Sequence, residues 1–351
     1  MMKKTLQIIG CVCLGFLVIL GCYAAYVFGS YTRLDDNLPL TVQAADNAMQ
    51  VPIGKTLKAV SYNVGFGAYS HDFSFFMDGG HESRCRTKES GIHNISKALR
   101  IAKAEQADLY FFQEVDIDGT RSHHVNQYDI LKNEMGSAFS SVFAQNYDSP
   151  YLFWPPLSPH GANTSGLATF SAFSINNAVR RQLPVEDSIM KIVDLDRCYA
   201  VHRLPCENGK ELVIYNVHLS AYTSDGTIAN EQLRLLFSDM QAEYKAGNYC
   251  ITGGDFNKDL TGQNTDTEYT WAQPIPTELI PAELQLIAPT ANPLKSCRLA
   301  DTAYSADTSF TITVDGFVVS ANVSPTTATV IDTAFAYSDH NPVNLSFCLL
   351  P

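Results

Sequence analysis

A series of short segments rich in β-branched and aromatic residues constrains the fold more than any other feature of the chain. Each segment has the length and composition of a buried strand. The five clearest are Leu57–Val64, Leu109–Gln113, Leu212–Leu219, Tyr249–Thr252 and Phe310–Ser320. Apolar residues at helical spacing precede the second and the fourth of these segments. Strands that alternate with helices predict an α/β fold built in layers.

Polar residues suited to catalysis lie where these apolar segments end. They are Asn63 in SYNV, Glu114 after FFQ, His218 in YNVHL, Asp255 and Asn257 in GGDFN, Asp315 in TVDGF, and Asp339 with His340 in SDHNP. Taken singly, an Asn or Asp at the end of a strand most often caps a turn. Asp315 is different, because a carboxylate inside an apolar strand is costly to bury unless a cation or a metal ion partners it.

In this order, the polar strand ends resemble those of the endonuclease/exonuclease/phosphatase superfamily. That superfamily includes pancreatic-type deoxyribonucleases, apurinic endonucleases, neutral sphingomyelinases and inositol polyphosphate 5-phosphatases. The GGDFN and SDH segments are the most specific matches, and the resemblance covers residues 57–351. It implies a four-layered α/β sandwich of two packed mixed β-sheets flanked by helices. It also implies metal-dependent hydrolysis of a phosphate ester, usually with Mg²⁺ and alternatively with Mn²⁺.

The resemblance also assigns the metal ligands and the group that activates water. Glu114 would be the main Mg²⁺ ligand, with Asn63 beside it, and oxygen ligands suit this hard cation. His340 would be the general base on the attacking water, oriented by Asp315. A histidine held by a carboxylate has a fixed tautomer and a raised basicity, which suits proton removal near neutral pH.

Four further residues are assigned to the phosphate by the same resemblance. Asp255 and Asn257 would position the nucleophile and the phosphoryl oxygens, and their spacing on one strand would direct both side chains to the same face. Asp339 would join the metal-binding or polar cluster. His218 matches the phosphate-contacting histidine of the deoxyribonuclease and sphingomyelinase branches, whereas apurinic endonucleases carry a tyrosine near this point.

The chain departs from the family pattern at one position, and the roles of two arginines are open to two interpretations. Apurinic endonucleases carry an Asp two residues after the first Asn, whereas this chain has Gly65 there, so a second metal site is in doubt. Arg121 and Arg197 are candidate substrate-binding residues, because Arg can grip a phosphate with two donors. A structural ion pair is an equally good interpretation of either arginine.

The amino-terminal segment is interpreted as a membrane anchor. Lys3 and Lys4 precede an uncharged, largely apolar run, Leu6–Tyr31, which exceeds the roughly 20 residues that cross a bilayer. We favour an uncleaved signal anchor over residues 1–33, although a cleaved signal peptide or a lipoprotein signal at Cys22 would also fit. The two lysines favour a cytoplasmic start and an extracytoplasmic domain. Residues 34–56 are interpreted as a linker and residues 57–351 as the catalytic domain.

The net charge of the chain helps to distinguish nucleic acid from other phosphodiester substrates. The formal net charge of −12 becomes −15 once the three basic residues of the anchor are set aside. An acidic domain argues against a nuclease with a basic groove, although Arg84, Arg86 and Lys88 form a candidate patch. Residues 148–161 contain four prolines and predict an irregular aromatic loop, which, with the anchor, favours a lipid phosphodiester.

The sequence therefore predicts a membrane-anchored, extracytoplasmic, Mg²⁺-dependent phosphodiesterase in which His340 activates water. A nuclease acting on DNA or RNA is the first alternative. A catalytically inactive, tethered binding module is the second alternative, although every expected polar residue is present. The expected partners are a phosphodiester substrate and the membrane, and no protein partner can be inferred.

Overall fold

A computed structural model shows two seven-stranded mixed sheets packed face to face, with helices on the two outer faces. The structure describes residues 2–47, 49–187, 191, 196–221, 227–266, 269 and 272–351. The four-layered sandwich expected from the sequence is confirmed.

The helices and strands of the described residues run as follows. The helices are α1 Met2–Gly29, α2 Lys88–Ala104, α3 Gln127–Met135 and α4 Thr227–Lys245. The strands are β1 Leu38–Pro39, β2 Val42–Gln43, β3 Thr56–Asn63, β4 Leu109–Gly119, β5 Ser140–Leu152, β6 Gly161–Ser171, β7 Asn177–Gln182, β8 Cys198–Pro205, β9 Glu211–His218, β10 Tyr249–Asp255, β11 Leu284–Ile287, β12 Cys297–Arg298, β13 Thr311–Ile312, β14 Asp315–Ser320, β15 Val323–Val330 and β16 Val343–Leu349.

Each large sheet has a parallel pair near its centre and antiparallel strands around it. One sheet has the order β1-β7-β8-β9-β10-β14-β11, and the other has the order β15-β16-β3-β4-β6-β5-β2. The parallel pairs are β9 with β10 and β3 with β4. The carboxyl ends of these four strands lie at the same end of the sandwich, which is therefore the natural place for a binding site.

Three layers of apolar side chains hold the sandwich together. Between the sheets, Phe111 of β4 and Phe317 of β14 lie buried in one cluster. A Cβ added at Gly253 would lie 2.8 Å from the ring of Phe111, so the sheets approach closely where this glycine passes. Helices α2 and α3 cover one outer face, and α4 covers the other through residues such as Leu236.

Two predicted elements differ from the structure. The segment Phe310–Ser320 is two strands, because β13 pairs with β12 outside the large sheets before β14 enters one of them. The predicted loop at residues 148–161 is partly wrong, since β5 extends to Leu152. The strand tolerates Pro150 because its pairing with β6 is already irregular between Ser149 and Leu152.

The segment interpreted as a linker is packed against the domain. Its short strands β1 and β2 pair with β7 of one sheet and β5 of the other. The contact begins directly after α1, where the Arg33 guanidinium donates to the Leu183 carbonyl at 2.6 Å and the Leu34 amide donates to Asp196 at 2.8 Å. Strand pairing on both sheets leaves little free length between α1 and the domain.

Helix α1 is exposed along nearly its whole length. It is the one helix among the described residues that is long and apolar enough to cross a membrane, with a hydropathy of 2.5. A signal sequence would share this length and composition.

Gly254 provides a test of how tightly the strands near the predicted site are packed. It has a φ of +158°, and a Cβ there would lie 2.1 Å from the Val217 carbonyl oxygen on β9. We expect Gly254→Ala to lower the free energy of unfolding by about 2–4 kcal/mol, because backbone cannot move aside cheaply. Denaturant unfolding of the purified chain measures this loss.

The matched control is Gly209→Ala in the β8–β9 turn. Gly209 also has a positive φ, +79°, but no described atom lies within 4 Å of its added Cβ. Only backbone strain remains there, about 1 kcal/mol. Equal losses for the two variants would contradict close packing at Gly254.

Candidate active site

The predicted polar residues meet at one end of the sandwich. On one sheet, Asp255 at the end of β10 stands opposite His218 on β9 and Asp315 on β14. On the other sheet, Asn63 ends β3 opposite Gln113, the residue before Glu114. Strand register thus places side chains that are far apart in sequence within one cluster.

Asn63 is the central contact between the two sheets. Its Nδ2 donates to Glu114 Oε1 at 3.1 Å and to Asp255 Oδ2 at 3.0 Å. The same nitrogen lies 3.5 Å from His340 Nε2. Its Oδ1 accepts from the Gly65 amide at 3.0 Å. A single buried amide therefore orients two carboxylates and lies beside the imidazole.

His340 and Asp315 form a buried pair. The His340 Nδ1 and Asp315 Oδ2 atoms are 2.8 Å apart, and Asp315 is fully buried. Burial by itself would lower the pKa of His340, but the negative charges of Asp315 and Asp255 raise it well above the ordinary value. The partner that Asp315 was expected to need is this histidine.

Buried carboxylates crowd the remainder of the cluster. Burial raises the pKa of Asp255, the positive His340 lowers it, and Asp315 raises it further. Burial likewise raises the pKa of Asp339, and the charge of Glu114 adds to the rise. A divalent cation would offset both the desolvation and the mutual repulsion of these oxygens. Glu114, Asp255 and Asp339 supply the carboxylate oxygens that Mg²⁺ or Mn²⁺ prefers, whereas Asn63 presents its Nδ2 to the cluster and its Oδ1 to the Gly65 amide.

A second grouping could also ligate a metal. Among the described residues, Asp255, Asp315 and His340 offer ligand atoms that lie within 4.8 Å of one another. The Nδ1 of His340 is already engaged by Asp315. This grouping therefore fits a proton-transfer unit better than a metal site, whereas the oxygen set around Glu114 fits a hard cation.

Local backbone geometry, rather than regular strand alternation, aims two of the site residues. Strand β4 does not end at Glu114 but continues to Gly119, and a register shift between Phe112 and Val115 places Glu114 in a bulge with a φ of +56°. Bulges commonly re-aim a side chain beside an active site. The expectation that Asn257 shares a strand with Asp255 was wrong, because β10 ends at Asp255 and Asn257 lies in a turn with a φ of +47°.

The turn after β10 fixes Asn257 firmly. Its backbone amide donates to Asp255 Oδ1 at 2.9 Å, and its Nδ2 donates to the Leu219 carbonyl at 2.8 Å. Asp255 thus accepts from Asn257 through one oxygen and from Asn63 through the other. These contacts hold Asp255 in a single orientation.

His218 and the two predicted arginines line adjoining clefts at this site. His218, Arg197 and Glu114 are shared by both clefts, whereas Arg121 lines only one. Burial lowers the pKa of His218 well below the ordinary value, and the positive charges of Arg197, His340 and Arg121 act in the same direction. His218 is therefore neutral near neutral pH.

Arg121 combines both interpretations left open by the sequence. It forms a buried ion pair with Asp116, with contacts of 2.8 and 3.1 Å, and it stacks 4.0 Å from the Phe66 ring centroid. It also lines the cleft. The ion pair fixes the position of the guanidinium while leaving it at the cleft wall.

Several supporting residues were not foreseen from the sequence. Ser296 accepts from the Asp315 amide at 3.0 Å, and Ser338 donates to the Asn63 carbonyl at 2.8 Å. Ser338 belongs to the SDH segment, but its contact with Asn63, like that of Ser296 with Asp315, is visible only in the tertiary structure. Gly65, the departure from the family pattern, has a φ of +49°, and a Cβ there would lie 2.5 Å from the Tyr69 ring and 3.0 Å from Asp339. No side chain fits at this position.

The remaining histidines and the basic patch lie outside the cluster. His124 is exposed and pairs with Asp118, and His123 contacts the Cys85 carbonyl. Arg86, in the candidate basic patch, is paired with Asp72 and Glu82. Its positive charge is therefore largely compensated.

Comparison with known proteins agrees with this geometry. Residues 60–340 match the Endonuclease/Exonuclease/phosphatase family. No curated protein is similar enough in sequence to count as a relative.

Solved structures share the fold at low sequence identity. An endonuclease/exonuclease/phosphatase from Beutenbergia cavernae superposes with a TM-score of 0.57 and 16% identity, covering 84% of this chain and 72% of that one. TDP2 from D. rerio, complexed with a single-strand DNA product, has a TM-score of 0.53 and 15% identity over 84% of this chain and 99% of that one. A mannosyl-6-phosphatase from Bacteroides thetaiotaomicron has a TM-score of 0.53 and 15% identity over 84% of this chain and 100% of that one.

Thermal unfolding tests the cation site. We expect excess MgCl₂ or MnCl₂ to stabilise the detergent-solubilised chain, by about 2.7 kcal/mol at 100 times the dissociation constant. Glu114→Gln removes a charged ligand and should lose most of this stabilisation. The exposed Glu89, in the first turn of α2, provides the control variant Glu89→Gln, which should keep it. Equal stabilisation of all three proteins would contradict a site at Glu114.

Proposed function

Because the chain belongs to the endonuclease/exonuclease/phosphatase family, we propose that its site hydrolyses a phosphodiester by attack of an activated water on phosphorus. Members of this family are metal-dependent phosphoesterases, nucleases and phosphatases, and the chain is a phosphoric ester hydrolase of this class. The observation that carries the proposal is the buried His340–Asp315 pair beside an oxygen-rich cluster.

In this proposal Glu114 would hold a divalent cation, expected to be Mg²⁺, and Asn63 would join it through Oδ1 once its carboxamide turns away from the Gly65 amide. The cation supplies Lewis acidity and neutralises charge on the phosphoryl group. Asp339 completes the acidic side of the site, where Glu114 already raises its pKa. No side chain fits at Gly65, so this position cannot supply the ligand of a second cation. This supports a single cation at this end of the cluster.

His340 is the general base, and Asp315 is its positioning residue. The contact at Nδ1 leaves Nε2 facing the cluster, 3.7 Å from Asp255 Oδ2. This nitrogen is the one available to take a proton from water. The negative charge of Asp315 raises the pKa of His340, and a cation held at Glu114 would oppose that rise.

Asp255 and Asn257 position the attacking water and the phosphoryl oxygens. Asp255 is held through both oxygens, so it presents a fixed acceptor at the floor of the cleft. His218, Arg121 and Arg197 bind the non-bridging oxygens. A neutral His218 contributes a donor without adding repulsion toward the two arginines.

A phosphodiester with an apolar neighbouring group is favoured over nucleic acid. The cleft that contains Arg121 is also lined by Phe66, Tyr69, Phe75 and Leu152. Part of its wall is thus aromatic, beside polar lining residues such as Arg121 and Asn146. The candidate basic patch is compensated at Arg86 by two ion pairs. Extended nucleic acid would need a track of uncompensated positive charge.

Helix α1 anchors the enzyme in the membrane, with the domain on the extracytoplasmic side. The length and hydropathy of α1 support the span, and Lys3 and Lys4 support the orientation. The absence of any charge between Thr5 and Thr32 supports a retained helix.

Replacing His340 tests the chemistry. Hydrolysis of bis-p-nitrophenyl phosphate by the full chain should require a divalent cation and stop with chelator. His340→Ala should lower the rate about 100- to 10,000-fold, because the proton acceptor is lost. The control His124→Ala removes an exposed histidine paired with Asp118 and should retain the rate. Activity that survives both the chelator and His340→Ala would overturn the proposed mechanism.

The pH profile tests the contribution of Asp315. Its negative charge raises the pKa of His340, so Asp315→Asn should lower that pKa and move the acid limb of kcat/KM to lower pH. The maximal rate should also fall about 100-fold, since the imidazole is no longer held. Asp118→Asn, at the exposed pair, should change neither quantity. An acid limb that stays in place or moves to higher pH would contradict the assignment.

A further inference from the structure

An exposed apolar loop connects β5 and β6. We call residues 153–160 the aromatic loop. Three of its large apolar side chains are open to solvent: Phe153 is 55% exposed, Trp154 is 66% exposed and Leu157 is 99% exposed. The loop contains no Asp, Glu, Lys or Arg. A charge-free loop that displays three such side chains marks an interaction surface rather than ordinary protein exterior.

Helix α1 contacts the start of this loop through two tyrosine hydroxyls. The Tyr23 hydroxyl donates to the Tyr151 carbonyl at 3.1 Å and accepts from the Phe153 amide at 2.8 Å. The Tyr26 hydroxyl accepts from the Tyr151 amide at 3.1 Å. The loop is therefore held at the level of the last two turns of α1.

The length of α1 indicates where those turns lie in a bilayer. About 20 helical residues cross the hydrocarbon core, so a span that begins at Leu6 ends near Ala25. Tyr23 and Tyr26 then lie at its outer boundary, where tyrosine and tryptophan are enriched. Tyr23 bonds to the first residue of the aromatic loop, and Tyr26 bonds to Tyr151 at the end of β5, so the start of the loop is placed at the same depth.

The connection after α1 keeps the domain in this position. Arg33 donates to the carbonyls of Leu183 and Arg197, at 2.6 and 3.3 Å, and the Leu34 amide donates to Asp196. The domain is thus attached within a few residues of the helix end. A free linker would allow the loop to leave the membrane surface, whereas this attachment does not.

The same loop forms part of the candidate active site. Leu152, at the end of β5, and His160, at the end of the loop, both line the cleft that contains Glu114 and His218. The exposed side chains lie between these two lining residues in the chain. Insertion of the loop would therefore bring the mouth of the cleft to the lipid headgroups.

We propose that Phe153, Trp154 and Leu157 insert into the interface of the bilayer that holds α1, so that the cleft acts on phosphodiester headgroups of lipids in the adjacent leaflet. This inference rests on the proposed anchoring and on the proposed phosphodiesterase activity. Insertion transfers exposed apolar area from water into the membrane without moving any charge.

Tryptophan fluorescence tests the insertion, because the chain has only Trp154 and Trp271. In the full-length Trp271→Phe variant, reconstituted into phosphatidylcholine vesicles, Trp154 is the only tryptophan. Its emission should shift to the blue, and brominated phosphatidylcholine should quench it more than twofold. Bromines near the headgroup should quench most strongly.

The matched control places the only tryptophan at the opposite end of the sandwich. Leu350 is exposed and follows β16, whose Cys348 pairs with Thr56 at the start of β3, whereas the site lies at the end of β3. In a Trp154→Phe, Trp271→Phe, Leu350→Trp chain, brominated lipid should leave the emission unchanged. Equal quenching at the two positions would overturn the proposed insertion.

Two activity measurements separate this inference from the proposals on which it rests. Trp154→Ser combined with Leu157→Ser should lower hydrolysis of vesicle phospholipid or sphingomyelin about tenfold, which corresponds to 1.4 kcal/mol. The same variant should hydrolyse bis-p-nitrophenyl phosphate at the unaltered rate, since neither residue lines the cleft in the described structure. An equal loss on both substrates would contradict a docking role.

The remaining outcomes identify which proposal fails. A chain that does not float with vesicles would overturn the anchoring and the insertion together. A chain that floats but shows an unquenched Trp154 would overturn the insertion alone. A chain with a quenched Trp154 that cleaves nucleic acid but no lipid would overturn the lipid substrate. Inactivity on every ester would overturn the phosphodiesterase proposal while leaving the fluorescence result intact.

Discussion

The burial of several carboxylates around one imidazole is the constraint on which the rest of the structure depends. Asp255 and Asp315 are removed from water and Asp339 is half-buried, and each carboxylate would be unstable there without compensation. His340 compensates Asp315 directly, and the Asn63 amide shares its hydrogens between Asp255 and Glu114. The compensation is incomplete, because the pKa values of Asp255 and Asp339 remain raised. That deficit of positive charge suits the cluster to the divalent cation on which members of the family generally depend.

The sandwich concentrates these groups because strand register aligns them within each sheet and face-to-face packing brings the two sheets together. Within one sheet, pairing brings His218, Asp255 and Asp315 to the same level on three adjacent strands. Face-to-face packing then brings the end of β3, with Asn63, against them. Gly253 permits the close approach of the sheets, since a side chain there would meet the Phe111 ring. The packing that stabilises the sandwich therefore also sets the geometry of the site.

The sequence predicted the parts of the fold and site that follow from local pattern. Polar residues at the ends of apolar strands identified the cluster because their order along the chain resembles that of the family. It did not predict the bulge at Glu114 or the turn at Asn257, whose positive φ values depend on surrounding contacts. It also missed the contacts of Ser296 and of Ser338, although Ser338 lies in the SDH segment, since a buried serine that holds a backbone group leaves no periodic signal. The two-residue strands β1 and β2 were likewise too short to be recognised.

The attachment of the domain to α1 bears on how so acidic a protein could select an anionic substrate. Residues 34–351 carry a net charge of −15, so long-range attraction of an anionic substrate is weak. An enzyme anchored as proposed would not need that attraction, because the anchor would set its local concentration at the membrane. Positive charge is then needed only inside the cleft, where Arg121 is held by Asp116 and Arg197 lies beside His218. Under the proposed anchoring, an acidic domain with a few fixed cations in the cleft would suit a substrate delivered by the membrane better than one captured from solution by charge.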